Sequence, residues 1–447
     1  MLSDNDSIIQ LVYNRIMNNK SFIKRQLLQI QQEGLFVYLQ KKGFIKRILF
    51  LPLYILAVPI IIVIRLIRPW FLVRWHGLIS LRIGHLATNT ELYLCEKDAQ
   101  LNVPKQNYID IFYLAYKPIS NQQLAKMWKR VLHIWPYWIL EPLSLVNRII
   151  PGGNMHNIGN NAQGDLDIHN LLDRFDTHLR FTPEEEKAGK IGLREMGIPE
   201  GTPFVCLIVR DSAYLKTIQT YNQLDMSYHD YRDCNIQSYV VAAEELANRG
   251  YFVIRMGVKV MEPFKTEHPG IIDYAINGMR TDFMDIYLGA KCEFCISVGT
   301  GFDAIPFVSR RPIVYTNYVP LGFTSTSSDK FLTITKHHFC VSENRRLSLS
   351  ELFEEGVGYS YSSSGYLSKG IKLIENTPEE IRDAVIEMAE RLNGSWKTNE
   401  EDKALQSRFW EIFRQEEVNE ANGLPFHGEI RARYGAKFLR DNLDWLQ

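Results

Sequence analysis

A regular alternation of short apolar runs and amphipathic stretches occupies residues 204–396 and limits the fold more than any other feature. The runs FVCLIV at 204–209 and YFVIRM at 251–256 are separated by a stretch with a helical apolar face, and EFCISV at 293–298 and PIVYT at 312–316 follow in the same way. Wholly apolar strands are buried on both faces, and strands joined by single helices run parallel. The alternation therefore predicts an α/β domain built on a parallel, doubly wound sheet.

Two Thr-Pro-Glu-Glu sequences, at 182–185 and 377–380, predict helix starts. The threonine caps the helix, the proline fits its first turn, and the last glutamate completes a capping box. Upstream, residues 76–150 have the order strand, loop, helix, strand, which is the beginning of a second βαβ pattern. The stretch from 151 to 176, rich in glycine and asparagine, predicts an inter-domain or active-site loop.

An uncharged apolar segment, LFLPLYILAVPIIIVI, lies at 49–64, and between 20 and 74 ten basic residues accompany one acid. A spanning helix needs about 20 apolar residues, whereas this segment is shorter and contains two prolines. Positive charge on both sides fits a segment that dips into an anionic membrane surface and returns. A true span and a buried core helix are the alternatives. Aromatic residues suited to the headgroup level follow: Trp70, Phe71 and Trp75.

Composition excludes some partners and cofactors. Lys+Arg and Asp+Glu number 51 each, so no net field favours nucleic acid. The six cysteines show no disulfide spacing, and Cys292 and Cys295 lack partners at zinc spacing. Asp165 and Asp167 form a DxD sequence, but it follows a polar loop and not an apolar strand. We therefore expect reduced core cysteines, no metal and no cofactor.

The residues that follow each predicted strand are the candidates for ligand binding, because ligands of a doubly wound sheet bind at the carboxyl ends of its strands. Glycines let the backbone approach a phosphate, helix amides attract its charge, and arginines supply paired donors. The predicted ligand-binding residues are Arg210, Arg232, Arg255, Gly257, Gly299, Thr300, Gly301 and Asp303, of which Asp303 would hold a hydroxyl group and the others would surround a diphosphate. The alternatives are a tight turn without a ligand, a surface ion pair of Arg210 with Asp211, and a solvated lid at 229–233.

Two residues of the preceding region are candidate catalytic groups. His85 lies at a strand-to-helix turn, and its pKa would suit deprotonation of a hydroxyl near neutral pH. A histidine that merely caps the helix is the alternative. Glu91, further along the same helix, is the second and weaker candidate.

Three stretches resemble a bacterial family of glycosyltransferases that build surface glycans. They are HDYRDCNIQSYVVAAEELANRGYFVIRMG, TDFMDIYLGAKCEFCISVGTGFDAIPFVSRRPIVYTN and EDKALQSRFW, and the resemblance covers roughly residues 82–410. It implies the GT-B architecture of two Rossmann-like domains with a cleft between them, a nucleotide-sugar donor in the C-terminal domain, and metal-independent transfer. The arginine after the first strand is also similar, by analogy only, to the donor site of fucosyltransferases of this fold.

These expectations combine into a cytoplasmic, peripheral or monotopic glycosyltransferase with a glycan or glycolipid acceptor. A sugar-nucleotide epimerase on the same scaffold and a non-catalytic nucleotide-binding component of polysaccharide assembly are the alternatives. The predicted division is a helical membrane-associating region at 1–75, an N-terminal Rossmann-like acceptor domain at 76–180, a C-terminal Rossmann-like donor domain at 181–396, and a helical tail at 397–447 that could pack back on the N-terminal domain.

Overall fold

The structure is a computed structural model that describes residues 51–158, 166–214, 216, 227–421 and 426–447. Its helices are α1 (Leu51–Ile67), α2 (Ile83–Asp98), α3 (Gln122–Val131), α4 (Tyr137–Ile149), α5 (Leu171–Arg174), α6 (Pro183–Glu195), α7 (Val240–Asn248), α8 (Asp282–Lys291), α9 (Ala304–Val308), α10 (Leu349–Glu354), α11 (Ser363–Ser368), α12 (Pro378–Leu392), α13 (Glu400–Ile412), α14 (Gln415–Ala421) and α15 (Ala436–Asp441).

The strands are β1 (Leu72–Leu78), β2 (Tyr108–Leu114), β3 (Phe204–Ile208), β4 (Phe252–Arg255), β5 (Ile271–Ile272), β6 (Cys295–Ser297), β7 (Ile313–Tyr315), β8 (Phe331–Thr333), β9 (His337–Cys340), β10 (Arg345–Arg346), β11 (Ile371–Ile374) and β12 (Arg433–Tyr434). Seven of them form one sheet in the order β12-β8-β7-β6-β3-β4-β5, and every neighbouring pair is parallel. The predicted α/β class and parallel sheet are therefore confirmed.

The sheet is covered on both faces because alternate residues of its central strand enter two separate cores. Val205 and Leu207 of β3 pack with α7 and α12, whereas Phe204, Cys206 and Ile208 pack with α8. All five are buried, as a continuous apolar run requires. The six cysteines are free and buried, as expected from their spacing.

Both Thr-Pro-Glu-Glu sequences start helices as predicted. Thr182 caps α6 and Thr377 caps α12, each with a complete capping box and a proline in the first turn. In α6 the capping Glu185 also binds Arg130 at 2.9 Å and Gln123 at 2.8 Å. These contacts outweigh burial and lower the pKa of Glu185 to about 2.

Three strands of the large sheet have no counterpart in the prediction: β5, β8 and β12. The tail at 397–447 supplies β12, which pairs with β8, so it does more than pack as a helical appendage. Its Arg431 also forms an ion pair of 3.0 Å with Asp173. Within the described part of 76–180, the strands are β1 and β2, which form a two-stranded sheet. The predicted four-part division stays a prediction.

Contacts divide the chain into two compact units. The small unit contains described residues 51–75, 106–109 and 135–157, and the large unit contains the remainder, including the seven-stranded sheet.

In the small unit, α1 packs on α4, and Arg65 near the end of α1 binds the main-chain oxygens of Asn147 and Ile150 at 3.1 and 3.0 Å. Trp75 does not lie at an exposed level as expected, since it is 2% exposed and stacks on His156. In the part of the chain that the structure describes, no helix has the length and apolarity needed to cross a membrane.

Candidate functional site

The residues that follow β3 and β6 lie side by side at the carboxyl edge of the large sheet. These strands are neighbours, with Ile208 opposite Ser297, so Arg210 and the 299–301 turn leave the sheet together. Two of the predicted strand-end elements are thus adjacent, and they supply a guanidinium group beside a glycine-bounded turn. Both suit an anionic ligand.

The turn after β6 is built by three polar residues. Asp303 Oδ2 accepts hydrogen bonds from Thr300 N at 2.7 Å and from Ser297 Oγ at 2.6 Å, and Ser297 Oγ in turn accepts one from Gly299 N at 3.1 Å. Gly299 has a left-handed φ of +79°, and a Cβ there would lie 2.9 Å from the Tyr318 ring. These contacts give Asp303 a role in shaping the turn, and its contact with a ligand stays a prediction.

The start of α2 lies against this turn. A Cβ on Gly84 would lie only 3.3 Å from Gly301 Cα, so the two backbones are almost in contact. The helix has 16 residues, no acid in its first turn, and no side-chain cap from Arg82 at its N-cap. Its positive end therefore adds to the field at the turn. His85 lies in this first turn, and its Nδ1 is 3.4 Å from Asn89 Oδ1.

The positive charges of three arginines act on the imidazole of His229. His229 lies in a 3-10 helix at Ser227–Arg232, and its Nδ1 is 2.9 Å from Arg232 Nη2. Burial, followed by the charges of Arg232, Arg210 and Arg82, lowers the pKa of His229 to about 4. The imidazole is consequently neutral near pH 7, and the positive charge around it comes from the arginines.

Donor atoms of this cluster are buried and have no hydrogen-bond partner among the residues that the structure describes. They are Arg210 Nη2, Arg232 Nε and Thr300 Oγ1. A buried donor without a hydrogen bond costs about 1–3 kcal/mol, so three around one site are expensive unless a ligand satisfies them. Burial and the neighbouring Arg232 also lower the pKa of Arg210, despite the opposing effect of Asp233.

The nearby acids leave much of this positive charge available. Asp233 accepts a hydrogen bond from Arg210 Nε at 2.9 Å, which orients the guanidinium. Asp211, expected to form a surface ion pair with Arg210, instead accepts from the amides of Ala213 and Met261, each at 2.9 Å. The hydrogen bond of Arg210 Nε to Asp233 thus fixes the orientation of the whole guanidinium, including Nη2.

The structure gives Arg255 and Gly257, also predicted at a strand end, surroundings of their own. The Arg255 side chain is 1% exposed, and its Nη1 binds Asp273 Oδ1 at 3.1 Å and Glu262 O at 3.0 Å. A Cβ on Gly257 would lie 2.7 Å from Val260, which marks a tight turn. In this arrangement Arg255 holds the loop after β4 through its Nη1, whereas its Nε is buried without a partner among the described residues.

Glu91, the second predicted catalytic residue, is fully buried in the middle of α2. Its Oε1 accepts from Arg310 Nη2 at 2.7 Å and from His178 N at 3.1 Å, and lies 3.2 Å from His178 Nδ1. Asp98 lies 3.1 Å from the other nitrogen of His178. Burial lowers the pKa of His178, but Glu91 and Asp98 outweigh it and raise that pKa above 6.5. These contacts indicate a structural role for the group of Glu91, His178, Arg310 and Asp98, which we call the Glu91 lock.

Glu91, Cys95 and His178 bring three potential metal-ligand atoms within 4.8 Å of one another. Arg310 Nη2 lies 2.7 Å from Glu91 and 3.5 Å from Cys95, so a guanidinium occupies the position that a cation would need. Burial raises the pKa of the Cys95 thiol to about 12, which disfavours the thiolate that binds metal. The donor set does not fit a metal ion.

Sequence reasoning did not select Arg82, and it named His229 only as part of the loop at 229–233. Arg82 follows a predicted strand and precedes a helix, so the rule that selected Arg210 would have found it. His229 belongs to the HDYRD sequence at 229–233, but its approach to Arg82 depends on how α2 packs on the turn, which no local pattern reveals.

No protein-family model matches the sequence, and no curated protein matches it. Among solved structures, the chain is similar to a glycosyl transferase family 9 protein from Veillonella parvula, with 12% identity over 72% of this chain and 97% of that one, at a TM-score of 0.39. It is also similar to the ADP-heptose LPS heptosyltransferase II of E. coli, with 14% identity, 72% and 99% coverage, and a TM-score of 0.40. Similarity at these identities and TM-scores assigns no function to the chain.

Proposed function

We propose that the cluster of Arg82, Arg210, Arg232 and the 299–301 turn binds the diphosphate of a nucleotide-sugar donor, and that the protein is a glycosyltransferase. The observation that carries the proposal is the set of buried donor atoms without partners on Arg210, Arg232 and Thr300. Arg210 and Thr300 follow the neighbouring strands β3 and β6, and the turn of Thr300 lies against the N-terminus of α2, an arrangement that suits a doubly charged phosphate group.

In the proposed reaction, an acceptor hydroxyl attacks the anomeric carbon of the donor, and the bond from that carbon to the diphosphate oxygen breaks. Negative charge develops on the departing diphosphate as this bond breaks. Fixed guanidinium groups stabilise that charge more in the transition state than in the bound donor, which lowers the barrier. Arg210, held by Asp233, is already oriented for this task.

His85 is the candidate base for the acceptor hydroxyl, because it lies in the first turn of α2 next to the contact of Gly84 with Gly301. His229 is unsuited to this role, since its pKa of about 4 makes it a weak base. The acceptor we propose is a glycan or glycolipid, and the place of action is the cytoplasmic face of a membrane, with no metal in the reaction.

The test of the donor site is binding of nucleoside diphosphates. We expect at least one of UDP, GDP, ADP, CDP or dTDP to raise the Tm of the protein, and its nucleoside to have no such effect. Arg210→Gln and Arg232→Gln should each weaken binding about tenfold to a hundredfold, because hydrogen bonds to charged groups contribute roughly 1.5–3 kcal/mol.

Arg249→Gln is the matched control. Arg249 forms surface ion pairs with Glu245 and Glu390 on helices behind the sheet, so its replacement should leave nucleotide binding unchanged. If none of the diphosphates stabilises the protein, or if the Arg249 variant loses binding as strongly as the other two, the donor site is wrong. A separate assay distinguishes the two reactions: release of the diphosphate only when an acceptor is added supports sugar transfer, whereas turnover of the sugar nucleotide without an acceptor supports epimerisation.

A further inference from the structure

Helix α1 presents apolar side chains around most of its circumference. Only Ala57 and Ile61 are buried, and they lie four residues apart on the side that packs against α4. The exposed large side chains of the helix are Leu51, Ile55, Leu56, Val58, Ile60, Ile62, Val63, Leu66 and Ile67. A single exposed leucine needs no explanation, but nine on one helix form a continuous apolar surface that needs a cover.

Aromatic residues continue this surface within the small unit. Trp70 follows α1 and is 74% exposed, and Trp138 in the first turn of α4 is 53% exposed, with Trp135 just before it also exposed. Tryptophan is the side chain most enriched at the boundary of hydrocarbon and headgroups, because its ring is apolar and its N–H is polar. Exposed tryptophans beside an apolar helix suit the interface of a bilayer, and the charges of the unit decide between a bilayer and a second copy of the chain.

The charges of the small unit indicate which kind of bilayer. Its described residues include four arginines (Arg65, Arg68, Arg74 and Arg148) and one acid, Glu141. Arg65 is occupied by main-chain oxygens after α4, whereas Arg68 and Arg148 are exposed. A second copy of the chain would bring the same positive surface against itself. Anionic headgroups complement it.

The geometry indicates how the helix would lie. Seventeen residues of helix are about 25 Å long, which is shorter than the roughly 30 Å of a hydrocarbon core. Arg65 fixes the C-terminal end of α1 to the end of α4 and the residues after it, and Ala57 and Ile61 pack against α4. A helix held in this way can bury its apolar sides in the membrane interface while it lies along the surface.

We propose that α1, together with Trp70, Trp135 and Trp138, is a docking surface that lies flat in the interface of an anionic bilayer. The surface is defined by these residues and does not depend on the proposed sugar transfer. It also assigns a role to α4, which the sequence did not connect with the membrane.

The test is flotation of the full-length protein with vesicles of phosphatidylcholine alone and of phosphatidylcholine with about a third phosphatidylglycerol. We expect stronger binding to the anionic vesicles, reduced by high salt because headgroup attraction is screened. Ile55→Ser with Ile62→Ser should weaken binding at least tenfold, since each buried aliphatic side chain contributes about a factor of ten or more. Arg68→Gln with Arg148→Gln should reduce the preference for anionic lipid.

Val341→Ser is the matched control, because Val341 is 60% exposed in the large unit and should not affect flotation. Quenching of tryptophan fluorescence by brominated lipid provides a readout on the unmodified protein, and we expect Trp70→Phe to reduce it. The proposal is overturned if the full-length protein fails to float with anionic vesicles, or if it sediments as a dimer that the isoleucine variants dissociate. Nucleotide binding would survive either result.

Discussion

The lock around Glu91 allows a sharp test of a residue that sequence reasoning placed in catalysis. Glu91 is fully buried, and its acceptors satisfy Arg310, whose side chain is 13% exposed, and His178, whose side chain is 22% exposed. Glu91→Gln keeps the shape but removes the charge, so the largely buried Arg310 loses its carboxylate partner and His178 keeps only Asp98. Breaking a buried pair costs about 3–5 kcal/mol, and the remaining amide oxygen recovers part of it.

We therefore expect Glu91→Gln to lower the free energy of unfolding by about 2–4 kcal/mol in urea denaturation at pH 7. Glu186→Gln is the control, because the 2.6 Å pair of Glu186 with Lys291 is about one-third exposed on both sides and should contribute less than about 1 kcal/mol. Diphosphate binding of the folded Glu91 variant should be unchanged.

The pH dependence gives a second readout. The folded pKa of His178 is raised above its unfolded value of 6.5, so its contribution is fully present below pH 6.5 and is lost as pH rises through the folded pKa. In Glu91→Gln the principal carboxylate is absent, so we expect a smaller loss on going from pH 6 to pH 9. If the variant is as stable as the unmodified protein but loses sugar transfer, Glu91 is catalytic and the structural role assigned to it is wrong.

Three further outcomes are expected. Sulfate should bind the cluster more tightly below about pH 5, because protonation of His229, with its pKa of about 4, adds positive charge; titration calorimetry should show this rise disappearing in His229→Gln. Gly299→Ala should lower the free energy of unfolding by about 1–3 kcal/mol because of its left-handed φ, and Gly301→Ala should cost less in the same urea titration. Glu185→Gln should cost about 1–3 kcal/mol at pH 7 through loss of its contacts with Arg130, and since the folded pKa of Glu185 is depressed to about 2, this stability should disappear in the unmodified protein as pH falls from 4.5 towards 2.

The centre of the sheet could be predicted from the sequence, whereas its edges could not. Strands β3, β4, β6 and β7 are largely buried and mostly apolar, with Arg255 and Ser297 as polar residues at the ends of β4 and β6. The edge strands β12 (Arg433–Tyr434) and β5 (Ile271–Ile272) have only two residues each, too few to form an apolar run. Short or polar strands are defined by their pairing partners, which lie far away in the chain.

The candidate site divides in the same way. The rule that strand ends face the ligand selected Arg210 and the 299–301 turn, which the structure brings together. The same rule selected Arg255, but Arg255 forms an ion pair with Asp273, and nothing in the local sequence indicates this pairing. His229 was not selected as a site residue because the charged groups around it come from three separate segments of the chain.

The close approach of Gly84 and Gly301 has a consequence for how substitutions at this site combine. A Cβ on either glycine would lie within 3.3–3.6 Å of the backbone of the other. A side chain at one position would therefore fill the space that a side chain at the other position needs. Effects of neighbouring substitutions are not additive. Side chains introduced at both positions should therefore cost more than the sum of the two single changes, and libraries that vary only one of them would underestimate how strictly the pair is constrained.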